Sequence, residues 1–532
     1  MRPLDDLSFW FRNPRIAIGH ERSLSFQVFS IDDVLGLDET RLSVRESGND
    51  LVVHAEGLTN AGGTLQAPGK FDAIVRSIMS GVEIDAKAEH PVPLKAMKTL
   101  VHGLEPGSVD HLGSRTGSCP PEDETLIWDP YWTPGGVAFL YRDDRVTAFG
   151  SKDIGVRPKR YYFGARTGRF VAELIYEEDA ASWATSIEVP TWWVEFDTQV
   201  DAAIERYATW LEGVDGLVGW DVRSDVPAWA RDLRLVVTLH GEHWTGYVFN
   251  TFSEMAETLR RITDWIPGRH VLAYLPGHCG RYYRSYPGDE PGERLGGREG
   301  FLRLLETAEG LGAHVMPMFG AHGVNASRYA RWRDAVVTDR YGFVPELLNL
   351  PDWDSDRAGE GQQLFLNLGE QGFREHLLET LASQVERYGL DAVFLDTVHW
   401  RPNDPRHDMW QGLVKLMSEL KARFPGVLWS SEGAHARQMR FFPLVQLELY
   451  EGQRVAHPGF LYRYVRTFDH LDTGAPGLGS SGVHERGFHG FHEPEDRPHH
   501  LPALAIVDDT MRDYLDVVER VCRAAVTRDP MA

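Results

Sequence analysis

Hydrophobic positions along the chain change their period near residue 230. Before that point, short apolar runs at 24–29, 42–44, 51–55, 137–141, 160–163 and 170–176 are separated by turn formers such as Ser47-Gly48-Asn49-Asp50 and Thr133-Pro134-Gly135-Gly136. Two-residue alternation at this spacing, without long helices, predicts an antiparallel β-sandwich. Residues 199–213 then read as a helix with Ile204, Tyr207, Ala208 and Leu211 on one face, and Pro227 falls in a connection. The expected division is an N-terminal sandwich with linker helix over 1–225 and a second domain over 226–532.

From residue 233 the period lengthens into a succession of strand, loop and helix. Strands are predicted at 233–239, 271–275, 314–319, 390–395, 427–430, 444–449, 461–467 and 501–507, with 365–368 as a short extended approach. Helices are predicted at 253–265, 299–310, 327–337, 371–388, 409–424 and 512–526. Ser253 with Glu254 and Glu257 marks the first helix start. Phe373, Leu377, Leu378, Leu381 and Val385 give the helix at 371–388 its apolar face. The count predicts a (β/α)₈ TIM barrel, with a doubly wound open sheet as the alternative. No full helix is legible between the sixth and seventh strands. The Gly/His/Pro-rich stretch 472–500 is too long for an idle connection and reads as a lid.

Within this rhythm, Gly389-Leu390-Asp391-Ala392-Val393-Phe394-Leu395-Asp396 is a helix end, a strand of four apolar residues and a terminal carboxylate. The next strand ends Trp429-Ser430-Ser431-Glu432, and Gly433 after it permits a sharp turn. Acids at the C-terminal ends of barrel strands lie on the rim where loops build active sites, whereas Asp391, at a strand start, lies on the stability face and reads as a turn or cap. Two carboxylates in different protonation states suit cleavage of a glycosidic bond. One attacks the anomeric carbon or activates water, and its partner donates a proton to the leaving oxygen. A separation near ~5.5 Å gives retention and a wider one inversion. The bland alternatives are a helix cap or ion-paired loop acid for Asp396 and a surface loop acid for Glu432.

The strand ending Phe394-Leu395-Asp396, after Tyr388-Gly389-Leu390-Asp391, resembles the nucleophile strand of retaining α-glycosidases with (β/α)₈ catalytic barrels, in the α-galactosidase, α-glucosidase/α-amylase and endo-α-N-acetylgalactosaminidase groups. In the amylase-like and endo-α-N-acetylgalactosaminidase-like groups the nucleophile closes the fourth strand and a glutamate acid/base the fifth. The resemblance therefore implies Asp396 as nucleophile, Glu432 as acid/base, a carbohydrate substrate and no cofactor. It covers residues 370–435 and the order of elements, and an amino-terminal sandwich is similar to several of these families.

Other residues of predicted rim loops are candidates for substrate contact. His240, His278, His322, His399 and His435 recur at strand ends, where imidazole hydrogen-bonds hydroxyls or supports a carboxylate. Each is as readily a structural histidine. Trp244, Trp353 and Trp400 offer faces for sugar stacking or for packing, and Asp352 and Asp354 grip hydroxyls or cap a turn. Asp508 and Asp509 follow the last strand. Arg281, Arg284, Arg401 and Arg454 read as solvated loop residues, with an anionic sugar as the alternative. Two other functions stay open: a metal-assisted hydrolase or lyase using His240-Gly241-Glu242-His243 and His399, and a non-catalytic carbohydrate-binding barrel. No His-Glu-x-x-His spacing supports the metal, so no metal site is assigned.

A formal charge of −23 argues against nucleic acid and anionic membrane surfaces as partners. Three scattered cysteines, Cys119, Cys279 and Cys522, fit a reducing compartment better than a disulfide framework. With an acidic start and no apolar leader or membrane-length run, the expectation is a cytoplasmic protein. A homo-oligomer is compatible with the sequence, which does not fix the state. Gly-x-Gly-x-x-Gly, P-loop and Gly-x-Ser-x-Gly motifs are absent from strand–turn–helix contexts, which removes dinucleotide, NTPase and α/β-hydrolase readings.

Overall fold

The computed structural model describes residues 13–19, 21–60, 63–112, 125–127, 136–157, 159–166, 169–242, 246–280, 290–325, 331–344, 346–348, 362–398, 401, 403–433, 435–448, 457–470, 499–508 and 510–527. The chain forms two compact units. One comprises Met1–Gly216 with Val455–His457, the other Leu217–Arg454 with Pro458–Ala532.

In the first unit, sixteen strands among the described residues join one hydrogen-bonded network around a long strand, Gly81–Leu104. Its first half lies between Lys70–Ile78 and Ala184–Thr198, its second between Arg22–Ser30 and Arg169–Glu177, all antiparallel. Pro91 and Pro93 sit at the change-over, where a proline removes ladder donors, so one strand serves both layers. Val82, Ile84 and Ala86 from the first half and Met97 and Val101 from the second share one core with Phe26. This is the sandwich that the alternation predicts.

The second unit is a parallel barrel, whose strands we label β1 (Leu235–Leu239), β2 (Val271–Leu275), β3 (His314–Gly320), β4 (Ala392–Asp396), β5 (Leu428–Glu432), β6 (Leu444–Glu448) and β7 (Arg466–His470). The last strand, β8, consists of His500–Leu501 and Ala503–Ile506, divided by Pro502. Its first piece pairs with β7 and its second with β1, which closes the sheet and excludes the open alternative. Pro502 has no N–H for the ladder, but its carbonyl accepts from Val236 N–H at 2.9 Å. Val236, Tyr274, Met318, Phe394, Leu428 and Phe468 belong to the interior core. At the N-terminal end, the buried Arg466 guanidinium lies 5.0 Å over the Trp220 ring and donates to the Arg231 carbonyl at 3.3 Å.

Helices α1 (Phe252–Thr263), α2 (Gly297–Leu311), α3 (Gln371–Tyr388), α4 (Met409–Arg423), α5 (Pro458–Tyr462) and α6 (Leu515–Thr527) follow strands of the barrel. Three expectations need correction. The cap of α1 is Thr251, not Ser253: Thr251 and Glu254 form a reciprocal capping box, because the buried Phe252 is already helical. The segment 461–467 is not one strand, since α5 occupies its start and β7 begins at Arg466. Phe460, Leu461 and Tyr462 are all buried, and an apolar run that short carries no helical period. Within 327–337, residues 333–335 are a turn, and Val336 bridges antiparallel to Leu366. Gln362–Phe365 instead joins Gly323–Asn325 and Glu346–Leu348 in a small antiparallel sheet inserted between β3 and α3.

Candidate active site

Gly389, in the left-handed region at φ +61°, ends α3 and turns the chain into β4. Side chains alternate along a strand, and Ala392 and Phe394 belong to the interior core, so Asp396 shares their face at the rim. Leu428 and Glu432 stand in the same relation on β5. Leu395 pairs with Ser431, which puts Asp396 and Glu432 side by side one step further on, on adjacent parallel strands. Both are buried strand-end residues, at 7% and 8% exposure, so Glu432 is not the surface loop acid of the bland reading.

The two strand ends are tied together. Thr397 adopts φ +61°, and its N–H donates to Glu432 Oε2 at 3.1 Å. Its hydroxyl donates to the Asp396 carbonyl at 2.7 Å, and Ala321 N–H, from the end of β3, donates to the same oxygen at 3.0 Å. Gly433 takes φ +76°, the sharp turn anticipated after Glu432, and its N–H donates to the Gln446 carbonyl of β6 at 2.9 Å. A third acid, Glu448, closes β6 on the same rim, opposite His470 of β7.

Arg401 is not a solvated loop residue. It is 4% exposed, its Nη2 donates to Gln438 Oε1 at 2.6 Å, and its guanidinium lies 5.6 Å from the Trp410 ring centre. Arg437 and Arg440 flank the same indole, at 6.0 and 5.6 Å. Gln438, fully buried, also donates from Nε2 to Ser431 Oγ at 2.9 Å and to the Glu432 carbonyl at 3.3 Å. Thr397 and Gln438 escaped the sequence reading. The only hint at either was proximity to an acid or to a glycine-marked turn.

The histidines separate. His240 follows β1, is buried, and meets Phe249 edge-on at 5.0 Å. His322 follows β3, is buried, and its carbonyl accepts from Leu366 N–H at 2.6 Å. His435 is half-buried, and its Nδ1 accepts from Arg437 N–H at 3.2 Å, so the ring caps the turn that carries Gln438. His278 lies in the layer between sheet and helices, against Phe319 of β3 and Phe301 of α2. Burial there lowers its pKa to about 3, which makes it a neutral packing residue. Trp244, Asp352, His399 and Trp400 lie outside the described residues, as do Trp353, Asp354, Asp509, Arg281, Arg284, Arg454 and most of 472–500.

At other rim positions polar groups already have partners. Tyr247 donates to the Asp508 carboxylate, and Arg294 Nη1 lies 2.6 Å from Glu242 Oε1. Among the described residues no three His, Cys, Asp or Glu side chains converge to hold a metal ion. At the opposite end Asp391 pairs with His314, on which Trp229 stacks at 3.7 Å between ring centres, consistent with a structural role.

No family model matches the sequence, and no curated protein matches it. Solved structures do. An α-N-acetylgalactosaminidase, NagBb, from Bifidobacterium bifidum superposes with a TM-score of 0.63 at 14% identity, over 81% of this chain and 79% of that one. The GH36 α-galactosidases AgaA and AgaB from Geobacillus stearothermophilus give TM-scores of 0.51 and 0.52 at 12% and 11% identity. Each covers 94% of this chain, and 75% and 74% of the respective enzyme. The likeness shows the fold. The chain thus has the architecture of the α-galactosidase group that the strand ending in Asp396 resembles.

Proposed function

We propose that the chain is a retaining, α-specific glycoside hydrolase in which Asp396 is the nucleophile and Glu432 the acid/base. The observation that carries this reading is the placement of two buried carboxylates on adjacent strand ends of the barrel, linked through Thr397. Neighbouring strands run about 4.8 Å apart, a scale that suits the close pair of retaining enzymes, at about 5–5.5 Å, better than the wider inverting pair. Asp396 attacks the anomeric carbon as Glu432 protonates the leaving oxygen. Glu432 then takes a proton from the water that releases the sugar. His240, His322 and His435, together with Trp244, Asp352, His399 and Trp400, are proposed substrate contacts. His278 is withdrawn from that set.

The solved relatives act on α-galactosides and α-N-acetylgalactosaminides, so a terminal sugar of the galacto series is the first substrate class to test. Three scattered cysteines favour a reducing compartment, hence small glycosides over polymers. The test uses aryl α-galactoside and aryl α-N-acetylgalactosaminide, with the first-formed anomer read by NMR. Asp396→Ala and Glu432→Gln should each lower kcat by about 10³-fold or more in folded protein. Substantial turnover by Asp396→Ala would sink the assignment, and a β-anomer as first product would sink retention. Glu448→Gln is the companion variant: loss there with Glu432→Gln active moves the proton donor to β6. Binding without hydrolysis across a glycoside panel would favour the non-catalytic barrel.

A further inference from the structure

We propose that Gln438 is a positioning residue for the Asp396–Glu432 pair, locking the loop after β4 to the end of β5; the inference rests on the roles given to those acids above. The carboxamide of this buried side chain serves two loops at once. Its oxygen accepts from Arg401, five residues beyond Asp396, at 2.6 Å. Its nitrogen donates to the Ser431 hydroxyl at 2.9 Å and to the Glu432 carbonyl at 3.3 Å. Chemistry fixes this orientation, because a guanidinium only donates and a peptide carbonyl only accepts. No other neutral side chain of this length supplies an acceptor on one side and two donors on the other.

The backbone that carries the amide is itself anchored. Gln438 N–H donates to the His435 carbonyl at 2.8 Å, and its own carbonyl accepts from Phe441 N–H at 2.9 Å. The buried Arg223 donates to the next carbonyl, Met439, at 2.7 Å. The bridge is thus held from outside and presses on Glu432 from behind, while Thr397 N–H meets the same residue's carboxylate from the front. With both links in place, the Glu432 backbone and carboxylate are fixed relative to Asp396. Sub-ångström placement of that kind is what a proton transfer coordinated with nucleophilic attack requires.

Gln438→Glu keeps the acceptor for Arg401 and removes both donors. Gln438→Met removes the whole bridge at similar volume. On the aryl α-glycoside that the wild type cleaves, both should lower kcat by about 10–100-fold, with KM within about threefold. A limb of the kcat/KM pH profile should move, and the melting temperature should stay within a few degrees. A kcat and pH profile equal to wild type would overturn the inference. If either Gln438 variant fails to fold, Ser431→Ala, which deletes only the receiving hydroxyl, decides: a displaced pH limb supports the bridge and an unchanged profile overturns it. Full activity in Glu432→Gln would instead mean that the functional reading has failed. An inactive Glu432→Gln alongside wild-type-like Gln438 variants would mean that positioning alone has failed.

Discussion

Thr397 occupies a conformation that β-branched residues avoid, because at φ +61° the Cβ substituents crowd the backbone. Such strain persists only where neighbours over-determine it. Here the N–H to Glu432 and the hydroxyl to the Asp396 carbonyl hold it in place. Thr397→Gly keeps the N–H and releases the strain, so its stability should stay within about 1 kcal/mol of wild type and activity should persist. Thr397→Val keeps the strain and deletes the hydroxyl, and should cost about 1–2 kcal/mol in denaturant melts. A valine variant as stable as the glycine variant would refute the account. Asp396 and Glu432 were legible because a strand end is a position in sequence. Thr397, Gln438 and the burial of Arg401 were not, because each depends on a backbone angle or on a contact between loops more than thirty residues apart. His278 misled for a related reason: a residue three positions past a strand can turn outward under a helix as readily as inward to the rim.

At the scale of elements, α4 carries a glycine where period alone would accept any small residue. A Cβ on Gly412 would lie 2.1 Å from the Leu368 carbonyl carbon, so the helix and the backbone of 368–369 are in direct contact. Gly412→Ala should therefore force the two apart and cost about 3 kcal/mol, read as a lower urea midpoint for the barrel unit. An unchanged midpoint would mean that the contact is slack. Long amphipathic helices such as α3 and buried strands such as β4 were readable from their periods. The five-residue α5 and the bridge at Val336 were not, since neither is long enough to express one. The capping box of α1 shows the same limit, because Thr251 and Ser253 are equally good caps until the burial of Phe252 chooses between them.

On the scale of the whole molecule, the change of period near residue 230 falls between the end of the first unit's main segment at Gly216 and the start of β1 at Leu235. What it did not disclose is how sandwich and barrel are each completed, by a strand shared between two layers and by a strand broken at Pro502. Charge acts at this scale too. Burial alone would raise the Asp225 pKa, but the Arg223 guanidinium, 2.7 Å away, and the Lys421 ammonium outweigh it and hold the carboxyl at about 2, against an ordinary 3.8. A carboxylate depressed in the folded state stabilises above its unfolded value and loses that contribution as pH falls through the folded one. The barrel unit should therefore lose about 2 kcal/mol between about pH 4 and 2. Calorimetry over that range should give a steeper fall for wild type than for Asp225→Asn, and equal slopes would refute the ion pair as the cause.

The strand split by Pro502 has a consequence for biosynthesis. β1 finds its second neighbour only in Ala503–Ile506, so some 260 residues must leave the ribosome between the two. At about 5–20 residues per second that is roughly 15–50 s during which β1 presents an open edge, while residues 1–216 of the sandwich unit have already been made. The barrel is therefore the part open to intermolecular strand pairing during synthesis, and a chain cut short before residue 500 would have the strand ends of Asp396 and Glu432 in place and its ring unclosed.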